Sequence, residues 1–176
     1  MTMTKPPAET EYAAFYAGYV AKVAAEGDVV ATLERQRDEL AALPAAAGDR
    51  ETHRYADGKW SVREVIGHLG DAERVFGHRL FCFSRGETQS LPGFDENAYA
   101  ARSGAGSRPL AELVAELLAL REVNLGVVRR LDEAAWDQRG VANNNAISVR
   151  GLVYVLAGHT RHHLDILRER YGVAAA

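Results

Sequence analysis

Two histidines four residues apart, His159 and His163, fall inside the apolar stripe of the last helix that the sequence specifies. Imidazole is costly to bury without a polar partner. Two on one buried face therefore need either separate partners or a shared one. Residues i and i+4 stack on adjacent helical turns, and that spacing lets two ring nitrogens grip one metal ion. Metal ligation and separately satisfied core histidines are the two readings of the pair.

Helical phase selects which histidines can cooperate. With His159 set to zero, Leu152, Leu156, Val149 and Leu167 fall at roughly 20° to 80°, and Ile166 and Val155 near -20° and -40°. His163 falls at about 40°, inside the stripe, whereas His162 falls near -60°, at its edge. Arg161 and Arg168 occupy the opposite face. On the second long helix His68 borders the stripe of Val65, Leu69, Ala72, Phe76, Leu80 and Phe83, so it can face the core seam. His78 points away, and His53 belongs to a loop.

If the pair holds metal, His68 is the best third ligand. Three imidazoles from two helices leave a coordination position open for water or substrate, which separates a catalytic site from a closed structural one. Such a donor set suits zinc, nickel, cobalt and copper alike. Asp71, one turn beyond His68, is a candidate to orient a ligand, or else a solvated carboxylate. Asn124 lies along the apolar line of Leu110, Leu113, Leu117, Leu120, Val128 and Leu131. It either lines the same pocket or has a local polar partner. His162 is exposed or supports a ligand from the stripe's edge. Other chemistries find less support. No histidine has Glu three residues before it, as di-iron carboxylate bundles require. Thr160 stands where a zincin carries its general base. Cys82 reads as a packing residue, and no glycine-rich phosphate loop occurs.

The elements that position these residues are helical. Alanine and leucine abound and alternating β-branched runs are nearly absent, so the 176-residue chain reads as a single all-α domain. Four long helices are expected. The first runs from an Asp28 N-cap to Leu43, before Pro44. The second opens on the capping box Ser61/Glu64, after Trp60, and runs to about Arg85, before Gly86. The third runs from about Ser107, with Pro109 in its first turn, to about Leu131. The fourth runs from Ser148 to Tyr171–Gly172. An aromatic arm of about residues 1–27 precedes them, interrupted by Gly18 and Gly27. The crossover of about residues 86–106 can extend to ~65 Å. That exceeds the ~36 Å of a 24-residue helix, so the second and third helices can run parallel. The net charge of -3 shows no basic stripe, which argues against nucleic acid as partner. No apolar run approaches a membrane span, and neither a disulfide pair nor an apolar leader argues for export. A cytoplasmic protein acting on a small molecule is the expectation.

At these residues the chain resembles the DinB/YfiT-like metalloprotein superfamily. The matching segments are Gly58–Ser61 leading to Gly67–Leu69, Asp71–Phe76, Arg79 with Ser84–Glu87, Leu91–Asp95, and Ala157–His159 with His162–Leu164. They extend over about Tyr16 to Tyr171. The resemblance implies a four-helix bundle with up-down-down-up topology and a divalent metal, zinc or nickel, on His68, His159 and His163. It also implies a homodimer. Among characterised members are transferases and isomerases that use low-molecular-weight thiols, so metal-activated thiol transfer is the leading expectation. A metal-dependent hydrolase and a non-catalytic dimeric bundle of the stress-response or interaction type are the alternatives. Many members have Glu where this chain has Thr160, so a general base at that position is not expected.

Overall fold

Three of the four long helices begin where a side chain accepts from their otherwise unpaired first-turn amides. The computed structural model describes residues 5–174. Helices α1 (Ala17–Ala24), α2 (Val29–Ala47), α3 (Val62–Phe83), α4 (Glu96–Arg102), α5 (Leu110–Val128), α6 (Glu133–Asp137) and α7 (Val149–Tyr171) are joined by strands β1 (Arg139–Ala142) and β2 (Asn145–Ser148). Asp28 accepts from the amides of Val30 and Ala31 to start α2. Ser61 and Glu64 form the expected capping box of α3, and Ser148 accepts from Gly151 to start α7.

α2, α3, α5 and α7 form the bundle, and contacts along them give its directions. Gly67 lies against Ala105, Glu73 against Arg121, and Gly77 against Asn124, so α3 and α5 run parallel. Gln36 bonds the Ala157 carbonyl while Glu39 pairs with Arg161, so α2 and α7 also run parallel. His68 meets His159 while the Trp60 carbonyl meets Tyr171, so α3 and α7 are antiparallel. This is the up-down-down-up arrangement, and the long crossover between α3 and α5 makes it possible.

Several expectations are corrected in detail. α2 continues through Pro44 to Ala47. The proline sits in the final turn, where one lost amide bond is outweighed by burial of Leu43 and Ala47. α5 starts three residues later than Ser107, after a 3-10 turn at Ala105–Ser107, with Pro109 as its N-cap. It ends at Val128. The crossover contains α4, capped by Asp95.

The chain between α6 and α7 forms a hairpin rather than loop, pairing Arg139 with Ser148 and Ala142 with Asn145. Its two-residue turn, Asn143–Asn144, has φ of 50° and 60°, the positive pair that matches strand twist. The hairpin straps the crossover down. Leu91 donates its amide to the Val141 carbonyl and accepts from the Asn143 amide.

Residues 1–4 of the aromatic arm lie outside the described residues; its Ala17–Ala24 stretch forms α1 and lies along α7. It comes close at Gly158, where any Cβ would collide with the Tyr19 backbone. Only glycine allows α1 to lie this close to the histidine-bearing turn.

The apolar core is divided by a polar layer. One cluster includes Leu33, Phe76, Leu125 and Leu156. The other includes Leu40, Ile66, Leu113 and Leu164. Between them, in every long helix, stand polar side chains: Gln36, Glu73, Arg121 with Asn124, and His159 with Thr160 and His163. The Arg121 guanidinium forms two bonds of 2.9 Å with the Glu73 carboxylate and another of 2.9 Å with Thr160 Oγ1. Both members of this ion pair are fully enclosed.

Candidate metal centre

The capping box fixes the start of α3, and His68 follows two turns later on its inward face, 2% exposed. α7 brings His159 and His163 to the same level, buried at 5% and 9% exposure. One nitrogen from each of the three rings lies within 4.8 Å of the other two, the only such cluster of metal-capable side chains found among the described residues. The Nε2 atoms of His68 and His159 face each other at 3.1 Å. Tetrahedral bonds of about 2.05 Å place ligand nitrogens about 3.3 Å apart, so small ring movements would accommodate an ion.

The surroundings keep the rings neutral. Burial pushes the His159 pKa down to about 3, with His68, His162 and Arg121 adding repulsion. Burial likewise lowers His68 to about 4, with His162 contributing. His163 is held well below its ordinary value by burial and then by its histidine neighbours. Its Nδ1 is buried with no hydrogen-bond partner. Three uncharged imidazoles whose nitrogens converge, one of them with an orphaned buried nitrogen, suit a divalent cation, because neutral ring nitrogens are the form that ligates metal.

A pH dependence follows. An unfolded histidine titrates near 6.5, so between about 6.5 and 4 the unfolded chain binds protons that these three buried rings refuse. Stability of the metal-free protein is therefore fully present above that range and falls as pH is lowered through it. Urea midpoints measured from pH 8 to pH 4 should decline steadily below pH 6.5. Excess zinc should hold the midpoint up to a lower pH.

The wall around the cluster is aromatic. Trp60, preceding the capping box, packs on His68 with centroids 4.8 Å apart, and Tyr171 anchors its carbonyl. Tyr19 from α1 lies edge-on to both His159 and His162 at 5.4 Å. Phe76 closes on His159 at 5.8 Å. Two cavities of about 230 Å³ each flank the cluster. One borders His163, with Tyr55, Trp60 and Tyr171 in its wall. The other borders His159, with Tyr16, Phe94 and Arg79 in its wall.

The remaining candidate residues lie outside the three-ring cluster. His162 is half-buried at the rim, beside Tyr19. Asn124 is a core amide, donating to the carbonyl and carboxylate of Glu73. Its partner is thus in the polar layer and not in either cavity beside the histidines. Asp71 lies near Arg74 on a separate depression lined by Ser103, Arg108 and Glu116. Tyr19, Arg79 and the Glu73–Arg121 pair were not singled out as functional from sequence. Arg121 has a legible signal, because it falls four residues after Leu117 on the inward face, in place of Leu120.

Comparison with known proteins agrees with this geometry. The profile of the DinB superfamily matches residues 32–167. A candidate metal-dependent hydrolase from Oceanobacillus iheyensis is 30% identical over 111 residues, which is 62% of this chain. The matched region spans 64% of that relative's length. Among solved structures, YfiT from Bacillus subtilis, described as a probable metal-dependent hydrolase with an unusual four-helix bundle topology, superposes with a TM-score of 0.73. The match covers 83% of this chain and 87% of YfiT at 21% identity, and supports a shared fold.

Proposed function

The chain belongs to the DinB superfamily, and from its three-histidine cluster we propose that it is a metal-dependent hydrolase of a small molecule, with His68, His159 and His163 holding the ion. The observation that carries this reading is the convergence of three neutral, buried imidazole nitrogens beside two cavities. A divalent ion bound by three imidazoles supplies a Lewis acid and brings the pKa of water toward 7.

The protein's own contribution is positioning and exclusion of water. α7 fixes two ligands at one helical repeat, and α3 supplies the third from an antiparallel direction. Trp60, Tyr19 and Phe76 pack around the rings and restrict their rotation. Thr160 is turned into the polar layer, donating to the Leu156 carbonyl and accepting from Arg121, so it is not available as a base. Two titratable groups beside the ligand rings are Tyr19 and His162. Burial raises the Tyr19 pKa and lowers that of His162, leaving both neutral at pH 7.

Thiol transfer, the leading expectation from family resemblance, is retained as a second reading because of one feature. The cavity at His163 is separate from the one at His159 and offers room for a cosubstrate thiol.

The two readings separate in one assay. Tag-free protein loaded with zinc or nickel is screened against small aryl esters and amides, with and without low-molecular-weight thiols. The hydrolase reading expects turnover without thiol that disappears on chelation and returns with metal. Turnover that appears only with thiol, yielding the S-linked product, selects transfer instead. Lack of stoichiometric metal in the loaded protein defeats both.

A further inference from the structure

The bundle contains two buried arginines in contrasting circumstances. Arg121 is neutralised by Glu73. Arg79, only 4% exposed, pairs with no carboxylate among the described residues. Its partners are the Pro92 carbonyl at 2.8 Å and the Tyr16 phenol, and its guanidinium lies 5.8 Å from the centre of the Phe76 ring. All of these are uncharged. A buried, permanently charged guanidinium without a counterion is costly, and charged side chains are seldom left so.

Arg79 faces the cavity that also borders His159. Phe76, Phe94, Tyr16 and Tyr19 line the rest of it. Glu96 reaches the rim, but it is exposed and is not among the groups that influence Arg79. Its field reaches Tyr19 on the same wall rather than the Arg79 guanidinium. Burial pulls the Arg79 pKa down, with Tyr16 opposing, as expected for a cation short of negative charge.

We propose that this cavity is an anion subsite: Arg79 receives the carboxylate of a small aromatic or apolar acid, whose other end lies at His159. The planar guanidinium matches a carboxylate fork, and one negative charge balances one cation. A phosphate dianion would leave charge in excess within aromatic walls. The crossover segment strapped to the hairpin forms part of the enclosure, since Gly93 and Asn143 both line the cavity. The inference rests on the hydrolase reading only for the identity of the reacting centre.

The test compares 3-phenylpropionate with the neutral isostere 3-phenylpropionamide by calorimetric titration of the zinc-loaded full-length protein. The acid should bind at least about tenfold more tightly, the effect of one charge-assisted bidentate contact. In Arg79→Met that preference should vanish while zinc content stays stoichiometric. Arg79→Lys keeps the charge but not the fork, and should retain only part of the preference; it also serves if Arg79→Met does not fold. His163→Ala, which removes a proposed metal ligand, should keep the preference. Equal affinity for acid and amide, no saturable binding of the acid, or a preference that survives in Arg79→Met overturns the subsite. A preference lost in His163→Ala also overturns it, because the acid was then bound by the ion. Intact preference with no hydrolytic turnover defeats the hydrolase reading and leaves the subsite standing.

Discussion

If the three histidines hold the ion as proposed, His163→Ala should leave the protein without stoichiometric divalent metal after dialysis, with metal affinity lowered by more than about a hundredfold. That lower bound comes from comparison: losing a residue that merely supports a ligand already costs 10–100-fold. His163 is one of the three proposed donors, and its Nδ1 has no competing partner. The substitution should not unfold the protein, because it removes an imidazole that burial already keeps uncharged. His162→Ala provides the contrast. His162 stands at the rim beside Tyr19, and its removal should leave metal content unchanged. Elemental analysis and competition with a chromophoric chelator measure both variants. Equal metal loss from the two would reject the selection of His163 by helical phase.

Glu73→Ala should be the most destabilising single change in the polar layer, lowering unfolding free energy by about 3–5 kcal/mol. The loss comes mainly from what is left behind. Arg121 is fully enclosed, and without Glu73 its remaining partners are Thr160, Gln36 and the Leu33 carbonyl, none of which carries charge. Asn124 would lose one of its two acceptors as well. Replacing both ion-pair members by apolar residues of similar volume should cost much less, because no uncompensated charge remains. Urea unfolding of Glu73→Ala and Glu73→Met/Arg121→Met distinguishes these outcomes. A double variant as unstable as the single one would mean that the pair itself, and not the orphaned charge, provides the stability.

Much of the site could be read from periodicity because amphipathic helices place residues at known angles. The phase of His159, His163 and His68 relative to leucines and valines was enough to bring them to one seam. The resemblance supplied the topology, and the length of the crossover had already allowed it. The rest is illegible in the sequence for physical reasons. The hairpin is two four-residue strands held by a pair of left-handed asparagines, and so short a segment has little period to detect. Glu73 and Arg121 are buried charges, and charge ordinarily marks a solvated face. Arg121 occupies the inward position and Leu120 is only half-buried, so a hydrophobic reading of α5 chooses the wrong neighbour. Tyr19 belongs to an arm whose glycines obscure its helix. Its approach to His159 depends on the missing side chain at Gly158, a three-dimensional coincidence that local sequence does not express.

The pairing of His68 with His159 bridges 91 residues. Until α7 docks, the earlier part of the chain offers one imidazole of the set, too few to retain an ion against water. An ion held by these three histidines therefore could not nucleate folding of α2 and α3. Its capture would report that the last long helix is in place, and the rate of that capture by a refolding chain would measure this late assembly step.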